Sequence, residues 1–326
     1  MDWNLIKLIF LCFAVLIGIS SFLLHCYEKY LPIFIKKSIR HGKYAEKTRH
    51  NIAEKFEVPK RSSDSNEASY VLLLCLYELA PLSITALVLC VHKYFFSGNL
   101  PEAVYEVLDL LLNSTRKSLG ILKLFSWFYN YNLHLTPLDT MIAITLITVQ
   151  CCKRLYEACY VSVYSEAKMS VSLYIVGFIH YFGTITCIIG ESYGFIKGSE
   201  YPFHWNELNS IHIIFSICFL LASYEQLRTN FILASLRKNK KGEVVTKSYK
   251  IPSGRLFEYV TAPLQLTEII MYSSLNIILR QSSSFCYIFI WVLANQIETA
   301  LSSHLWYKKT FKNYPNCRKV LVPFLL

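Results

Sequence analysis

The sequence predicts an all-α membrane protein in which about seven transmembrane helices form one bundle. One observation is the composition: the 326 residues are 54% hydrophobic and 15% aromatic but only 17% charged, against about a quarter charged residues in soluble domains. The other is the distribution of the net charge of +11, which is concentrated between continuous apolar runs. Because these runs show no period-two alternation, the pattern favours helices over a β-barrel.

The predicted spans are the apolar runs that approach the roughly 20 residues needed to cross a bilayer. They cover residues 5–24, 69–91, 137–152, 169–189, 208–224, 259–279 and 285–303. The third and fifth runs are short and Pro263 interrupts the sixth, so the boundaries of the spans are approximate. The first run has no basic segment before it and no small-residue cleavage site, so we interpret it as a retained span. Between the second and third spans, residues 101–112 predict an amphipathic helix on the lumenal surface.

The charges of the connecting segments predict a lumenal N-terminus and a cytosolic C-terminus. With seven spans, residues 25–68, 153–168, 227–258 and the tail 304–326 fall on one side, and these segments hold an excess of Lys and Arg. Segments 96–135 and 190–207 fall on the other side and hold no such excess. Since Lys and Arg keep loops in the cytosol, the basic side is the cytosolic one. The N-x-[ST] sequon at Asn113 then faces the lumen, and residues 1–326 form one membrane-embedded domain.

The segment 227–258 is the most basic loop of the chain. Its cations are Arg228, Arg237, Lys238, Lys240, Lys241, Lys247, Lys250 and Arg255. Retention of the loop in the cytosol explains any one of them. It does not explain Tyr249, Pro252 and Gly254, which suit an ordered binding loop. Cations and backbone donors at a membrane face can also bind a multiply charged ligand such as a nucleotide pyrophosphate. Because the charge lies between spans, we predict no nucleic-acid partner.

Polar side chains inside the predicted spans are functional candidates, because burying them in lipid is costly. They are Glu78, His180, His212, Glu268, Asn295, Gln296 and Glu298. Helix–helix hydrogen bonding explains Asn295 and Gln296, and we expect His180 to be a satisfied core histidine. We expect Glu268 to cap or pair with a basic loop residue and His212 to lie at the lumenal interface. Many of the polar groups fall in the cytosolic half, which predicts a polar cavity open to the cytosol.

Several common site motifs are missing from the sequence. It contains no G-x-G-x-x-G, no G-x-x-x-x-G-K-[ST] and no H-E-x-x-H. Rossmann, P-loop and zinc-peptidase interpretations are therefore unsupported. No C-x-x-C pair occurs either, so we interpret the cysteines as small buried hydrophobes and predict no metal.

The C-terminal third carries a dense polar signature. Residues 249–260 read YKIPSGRLFEYV and residues 304–324 read HLWYKKTFKNYPNCRKVLVPF, while 154–165 read RLYEACYVSVYS and 232–240 read ILASLRKNK. This pattern resembles the steroid 5α-reductase family, and within it the polyprenol (polyprenal) reductase branch. The resemblance covers most of the chain after residue 56 and is weakest over residues 62–135.

This resemblance implies a multi-pass seven-helix bundle of the endoplasmic reticulum membrane that binds NADPH in its cytosolic half. Carried over by position, it implies cofactor contacts at Arg154, Gln226, Asn230, Arg237, Tyr249, His304 and Arg318, with Glu78 and Tyr307 as candidate catalytic donors. Arg237 and Arg318 suit phosphates because the planar guanidinium donates two parallel hydrogen bonds. We expect the arginines at 154, 237 and 318 to converge on one hollow.

The implied reaction is the NADPH-dependent reduction of the α-isoprene C=C bond of polyprenal or polyprenol, giving dolichal or dolichol for dolichol-linked protein N-glycosylation. Hydride addition to an isolated allylic alcohol leaves the developing charge without a sink. In an α,β-unsaturated aldehyde the charge moves to oxygen, where hydrogen-bond donors stabilise it. We therefore expect the aldehyde to be the direct substrate, with the polyisoprenoid chain remaining in the membrane.

Other functions stay open at this point. A steroid 3-oxo-Δ4 5α-reductase or an enoyl thioester reductase would use the same cofactor on another enone or enoyl group. A lipid transporter or lipid-binding protein would carry intramembrane polar groups without a cofactor. The chain departs from the family pattern at Leu264, which affects one cofactor contact, and at Cys151, which we take as an argument against a steroid substrate.

Overall fold

The computed structural model describes residues 4–27, 30, 67–112, 134–163, 171–239, 241–246 and 248–322, with the side chains of 67–78 and 171–174 outside the description. Within these ranges the regular secondary structure is helical, and β-pairing is limited to isolated bridges. The all-helical class predicted from the sequence is confirmed. Most of the predicted basic segment 25–68 and the sequon at Asn113 lie outside the described residues.

The described part of the chain contains eight α-helices. They are α1 (Leu5–Cys26), α2 (Glu67–Phe95), α3 (Glu102–Leu112), α4 (Pro137–Tyr156), α5 (Val171–Gly190), α6 (Ser210–Ser235), α7 (Pro263–Ile278) and α8 (Phe285–Thr310). A π-helical turn, Glu157–Val161, follows α4, and a 3-10 turn, Arg255–Glu258, precedes α7. Each of the seven predicted spans coincides with a helix, and α3 is the amphipathic helix predicted between the second and third spans.

Three of these helices, α1, α6 and α8, are long and apolar enough to cross a membrane. Shorter apolar stretches lie within α2 and α5, at Leu79–Phe95 and Ile175–Gly190. The outer face of α6 exposes large apolar side chains, including Ile213, Ile217 and Leu221, as expected for contact with lipid. The protein is therefore a helical membrane protein, and the count of seven spans and their orientation stay predictions.

The helices pack in neighbouring pairs around one apolar core. Helix α6 packs against α7, α2 against α4, and α1 against α8, while α8 also contacts α7. Phe10 of α1, Ile144 of α4, Ile188 of α5 and Leu275 of α7 are fully or almost fully buried in this core. Polar side chains of α4, α6, α7 and α8 are enclosed at the end of the bundle opposite the start of α1.

Two helix boundaries differ from the predicted ones. Helix α6 continues to Ser235, so the segment 227–235, which we assigned to the basic loop, is helical. Its residues LRTNFILAS contain no Gly or Pro that would end a helix earlier. Pro263 does not break the sixth span but begins α7, because proline fits the first turn of a helix. Gly254 adopts a φ of 92°, a positive φ that glycine tolerates.

The predicted lumenal end is closed by polar contacts. His212 is 6% exposed and its Nε2 lies 2.7 Å from Asp139 Oδ1. The expectation of an interfacial His212 was wrong, because the carboxylate of α4 satisfies the ring inside the bundle. The carboxylate of Glu191 accepts hydrogen bonds from Ser283 and Ser284 at the start of α8. These contacts connect α4 to α6 and the end of α5 to α8.

Candidate functional site

Two cavities meet inside the cytosolic half predicted from the sequence. The first, which we call the basic cleft, has a volume of about 330 Å³. It is bordered by the end of α6, the loop that follows α6, the start of α7 and the last turns of α8. The second, the helix cavity, has a volume of about 780 Å³ and is lined by residues of α1, α4, α5, α6, α7 and α8. Leu264 and Gln265 line both cavities. They form a shared wall at the first turn of α7.

The basic cleft brings together residues from three separate segments. Asn230, Arg237, Tyr249 and Tyr307 all line it. The guanidinium of Arg237 donates to the carbonyl of Val163 at 2.6 Å and lies 5.0 Å from the ring centre of Tyr249. A cation on an aromatic face and a carbonyl acceptor together fix the guanidinium at the wall of the cleft.

One side chain of the cleft has spare hydrogen-bonding capacity. The Nδ2 atom of Asn230 is buried and has no hydrogen-bond partner among the described residues. Buried amide groups in folded proteins are normally paired. A polar ligand in the cleft would supply the missing acceptor.

The loop that closes the cleft is held in place by an ion pair. Arg255 Nε donates to the carboxylate of Glu225 on α6 at 3.1 Å, and this carboxylate raises the pKa of the Arg255 guanidinium. The amide of Gly254 donates to Glu258 Oε1 at 2.5 Å. These contacts fix the turn before α7 relative to the end of α6.

Two predicted cofactor residues lie behind the cleft and line neither cavity. His304 Nδ1 and Tyr314 Oη each lie 2.6 Å from Thr261 Oγ1. Arg318 is 5% exposed and donates to the carbonyl of Pro252 at 2.8 Å. The two side chains therefore connect α8 and the C-terminal tail to the loop that carries the cleft residues.

The helix cavity contains a polar network at its shared wall. Gln226 is 3% exposed, and its Oε1 accepts from Lys153 Nζ at 2.5 Å and from Gln150 Nε2 at 2.8 Å. Its Nε2 donates to Glu268 Oε2 at 2.6 Å. The expectation that Glu268 pairs with a basic loop residue was wrong. Its partner is a helix amide, because Glu268 lies in the second turn of α7, on a helix that packs against α6.

Arg154 lines the helix cavity and is paired with a buried carboxylate. Its Nη1 donates to Glu157 Oε2 at 2.7 Å, and Glu157 is 1% exposed. Lys153 Nζ lies 3.4 Å from the other oxygen of the same carboxylate. The π-helical turn after α4 thus places one acid between two cations, an arrangement that offsets the cost of burying it.

The three arginines do not converge on one hollow, contrary to the expectation. Arg237 lines the basic cleft, Arg154 lines the helix cavity and Arg318 lines neither. The reason is local pairing: Glu157 holds Arg154 at the end of α4, and the Pro252 carbonyl holds Arg318 in the tail. The cavities lined by Arg237 and Arg154 share the wall formed by Leu264 and Gln265.

The two candidate catalytic residues are placed differently. Tyr307 lines the basic cleft and not the helix cavity, and its ring stacks on those of Tyr314 and Phe311. The backbone of Glu78 lies in α2, and its side chain is outside the described part of the structure. The next residue, Leu79, is fully buried and packs near Tyr181, a residue that lines the helix cavity.

The wall of the helix cavity on α1 is mostly apolar. Phe13, Leu16, Ile17 and Leu24 line it, and Leu16 is 59% exposed, so the cavity reaches the outer surface of the bundle there. At its other side Glu298 of α8 lies 3.1 Å from His25 Nε2 and accepts from Ser302 Oγ at 2.7 Å. The cavity thus joins an apolar rim to polar side chains.

Sequence reasoning missed Gln150, Lys153 and Gln265. The first is an uncharged polar residue in an otherwise apolar run, a signal of the same kind as the one that singled out Glu78. The other two lie at helix ends, where polar residues are ordinary and carry no signal. No group of three or more His, Cys, Asp or Glu side chains that could hold a metal ion occurs in the described ranges.

Comparison with known proteins finds similarity to a family of reductases. The family model of the 3-oxo-5-alpha-steroid 4-dehydrogenases matches residues 167–326. A polyprenal reductase of Drosophila melanogaster is 31% identical over 329 residues, which is 99% of this chain and 94% of the relative. A polyprenal reductase of Caenorhabditis elegans is 29% identical and covers 88% of this chain and 85% of its own length.

The human protein named polyprenal reductase is 29% identical over 194 residues, 58% of this chain and 60% of the relative. The match to the Drosophila protein extends over both cavities, including Arg154 and α1, which lie before the residues matched by the family model. The resemblance seen in the sequence is thereby confirmed. The chain belongs to the steroid 5α-reductase family, in its polyprenal reductase branch.

Proposed function

We propose that this reductase uses NADPH to reduce the α-isoprene C=C bond of polyprenal, giving dolichal in the endoplasmic reticulum membrane for dolichol-linked protein N-glycosylation. The observation that carries the proposal is the wall shared by the two cavities, formed by Leu264 and Gln265. A cationic, aromatic cleft on one side suits a dinucleotide phosphate. An apolar cavity on the other side suits an isoprenoid. The relatives' name, polyprenal reductase, supports the same substrate.

The residues of the basic cleft fit NADPH. Arg237 and Lys250 line it and would bind the phosphate groups, since guanidinium and ammonium groups form strong charge-assisted hydrogen bonds to phosphate oxygens. Tyr249, already against the guanidinium of Arg237, offers a ring face to a base. The unpartnered Nδ2 of Asn230 is a free donor for a polar group of the cofactor.

The nicotinamide end of the cofactor belongs at the shared wall. There Gln226 and Glu268 provide an amide and a carboxylate that are already oriented by Lys153 and Gln150. Amide and carboxylate groups suit the carboxamide of a nicotinamide. When bound, NADPH supplies the hydride for the reduction. Arg154 adds a cation to the helix cavity beside this network.

The isoprenoid chain would enter by the apolar rim on α1. Leu16 and Ile17 line the cavity and belong to a helix whose outer face exposes several large apolar side chains. The long tail can stay in lipid while its head group reaches Leu264. A soluble substrate would gain nothing from such a rim, whereas a lipid needs no transfer through water.

The remaining predicted residues receive distinct roles. We assign Tyr307 to cofactor binding, because it lines the basic cleft. His304 and Arg318 are positioning residues, since they hold the loop through Thr261 and Pro252. Glu78 remains the candidate that delivers a proton to the α-carbon, supported by the burial of Leu79 near the helix cavity.

The test is an assay of the purified protein in lipid nanodiscs with NADPH or NADH and with polyprenal, polyprenol or a 3-oxo-Δ4 steroid. We expect NADPH consumption with polyprenal, dolichal as the product by mass spectrometry, and little turnover with the other substrates. Faster reduction of the alcohol would reject the aldehyde as the direct substrate. Absence of NADPH consumption with every substrate would overturn the proposed function.

Replacement of one cleft cation tests the cofactor part of the proposal. Arg237→Ala should raise the KM for NADPH by about 10- to 100-fold, because a hydrogen bond to a charged group contributes about 1.5–3 kcal/mol. Arg228→Ala is the matched control: it removes the same charge from the exposed face of α6. Equal KM values in the two variants would remove Arg237 from the cofactor site.

A further inference from the structure

The helix cavity has an aromatic end with two ring nitrogens. His180 of α5 and Trp291 of α8 line the cavity, are 7% and 5% exposed, and have ring centroids 4.6 Å apart. Phe10 and Phe13 of α1 pack against the indole ring. A purely structural aromatic contact would work equally well with phenyl rings. The presence of an imidazole and an indole in an apolar wall therefore needs a separate reason.

Both rings carry a buried nitrogen atom that has no partner among the residues that the structure describes. Neither His180 Nδ1 nor Trp291 Nε1 has a hydrogen-bond partner in the described part of the chain. Buried polar atoms are almost always hydrogen-bonded in folded proteins. Two such atoms on neighbouring rings at one cavity indicate a ligand acceptor that both can reach.

Tyr272 of α7 determines which nitrogen of His180 carries the proton. Its Oη lies 2.6 Å from His180 Nε2. The phenol is the stronger donor and the imidazole nitrogen the stronger acceptor, so the hydroxyl donates to Nε2 and the ring proton resides on Nδ1. The indole Nε1 is a donor in every state. Two rings that line the cavity end thus each carry an N–H donor that lacks an acceptor within the described residues.

The distance of these donors from the shared wall suits a conjugated aldehyde. Glu268 and Tyr272 lie four residues apart on one face of α7, a separation of about 6 Å along the helix axis. In an α,β-unsaturated aldehyde the oxygen is three bonds from the β-carbon that accepts hydride. The β-carbon can therefore lie beside the Gln226–Glu268 network while the oxygen points toward His180 and Trp291.

We infer that His180 and Trp291 bind the carbonyl oxygen of the isoprenoid aldehyde and stabilise the negative charge that develops on it; this inference rests on the proposed function. The hydride from NADPH forms the new C–H bond at the β-carbon, and the π electrons of the C=C bond move toward the α-carbon and the oxygen. The two N–H groups hydrogen-bond the oxygen at that stage. A proton then adds to the α-carbon, from Glu78 in the proposed function, the C=O bond is restored, and NADP⁺ is left.

The first test is Trp291→Phe, which removes the donor and keeps an aromatic ring. We expect kcat/KM for polyprenal to fall about 100-fold, as for loss of one donor to a developing oxyanion, with NADPH binding and the melting temperature unchanged. Trp205→Phe, at a ring that is 66% exposed and outside the cavity, is the control. Wild-type values in Trp291→Phe would overturn the inference.

The second test uses ligand binding without cofactor. Wild-type protein should bind farnesal more tightly than the hydrocarbon of the same chain length, and Trp291→Phe should lose this preference. His180→Asn keeps a donor near the position of Nδ1, whereas His180→Gln keeps only the group near Nε2, so the first should retain more of the preference. The reverse order, or an unchanged preference in Trp291→Phe, would contradict the assignment.

These two readouts separate the inference from the proposed function. If the wild-type protein fails to reduce polyprenal but prefers farnesal, and Trp291→Phe abolishes that preference, the reductase proposal fails and the oxygen site stands. If the wild-type protein reduces polyprenal and Trp291→Phe does so equally well, the reductase proposal stands and the oxygen site fails.

Discussion

The two cavities are built by opposite means. The basic cleft is assembled from loops and the helix ends next to them, and its polar side chains are fixed by aromatic faces and backbone carbonyls, as with Arg237 on Tyr249 and Val163. The helix cavity is assembled from helices, and its polar side chains are fixed by one another, as with Gln226 and Glu268. A loop-built site can accommodate an elongated, charged ligand, whereas a helix-built site holds a reacting group within a rigid frame. The division of labour proposed between cofactor and lipid follows this difference.

The largest effect is expected from a substitution at the wall between the two cavities, where cofactor and lipid would meet. Leu264→Trp should reduce turnover at least 100-fold, because an indole at the shared wall fills the space through which cofactor and substrate must meet. The dissociation constant of NADPH and that of the lipid, measured separately by titration, should change by no more than about threefold, because each cavity keeps its remaining contacts.

Ile270→Trp provides the control for that substitution, since Ile270 lies on the same helix and is 38% exposed on its outer face. It should leave turnover intact. If Leu264→Trp is as active as Ile270→Trp, the reaction does not occur at the junction, and the two cavities act independently.

The polar network of the helix cavity should give the next largest effect. Gln226→Leu removes the group that accepts from Lys153 and donates to Glu268, and each buried group left without a partner costs about 1–3 kcal/mol. We expect a melting temperature several degrees lower and a tenfold or greater fall in kcat, on the order expected for loss of a positioned group.

Gln296→Leu is the matched control for the network. Gln296 lines the same cavity, and no side-chain hydrogen bond of it is found within the described residues. The same chemical change should therefore have a much smaller effect on melting temperature and kcat. Similar losses in both variants would mean that polarity of the cavity as a whole, and not the Gln226 network, is what matters.

The smallest expected effect is on the affinity for NADPH. Leu264→Asn introduces the residue expected from the family pattern at the shared wall. A new hydrogen bond of about 0.5–1.5 kcal/mol corresponds to a two- to tenfold tighter binding of NADPH. Fluorescence titration would measure it. Weaker binding in the variant would show that the apolar contact of Leu264 is itself part of the site.

The sequence predicts the helices better than it predicts the site, for physical reasons. Hydropathy reports which segments avoid water, and every apolar run did become a helix, including the run interrupted by Pro263. It does not report which helix faces meet. The pairing of Glu268 with Gln226 and that of His212 with Asp139 are contacts between distant segments. Neither pairing could be read from local patterns.

The family resemblance located the cleft residues but not their division between two cavities. Arg237 and Tyr249 are close in sequence, with eleven residues between them, whereas Arg154 lies far from both. Arg237 and Tyr249 share the basic cleft. Arg154 lines the helix cavity because Glu157 in the π-helical turn pairs with it. Arg318 was predicted to bind phosphate, yet it holds the Pro252 carbonyl. A basic residue in a signature is thus equally compatible with ligand binding and with holding a loop.

The most direct test of the two-cavity account is a cryo-electron microscopy structure of the protein in nanodiscs with NADP⁺ and polyprenal. The account predicts dinucleotide density in the basic cleft along Arg237 and Tyr249, with its nicotinamide end at Leu264 and Gln265, and isoprenoid density running from that wall to the rim at Leu16. Dinucleotide density confined to the helix cavity, or isoprenoid density that never reaches Leu264, would contradict it.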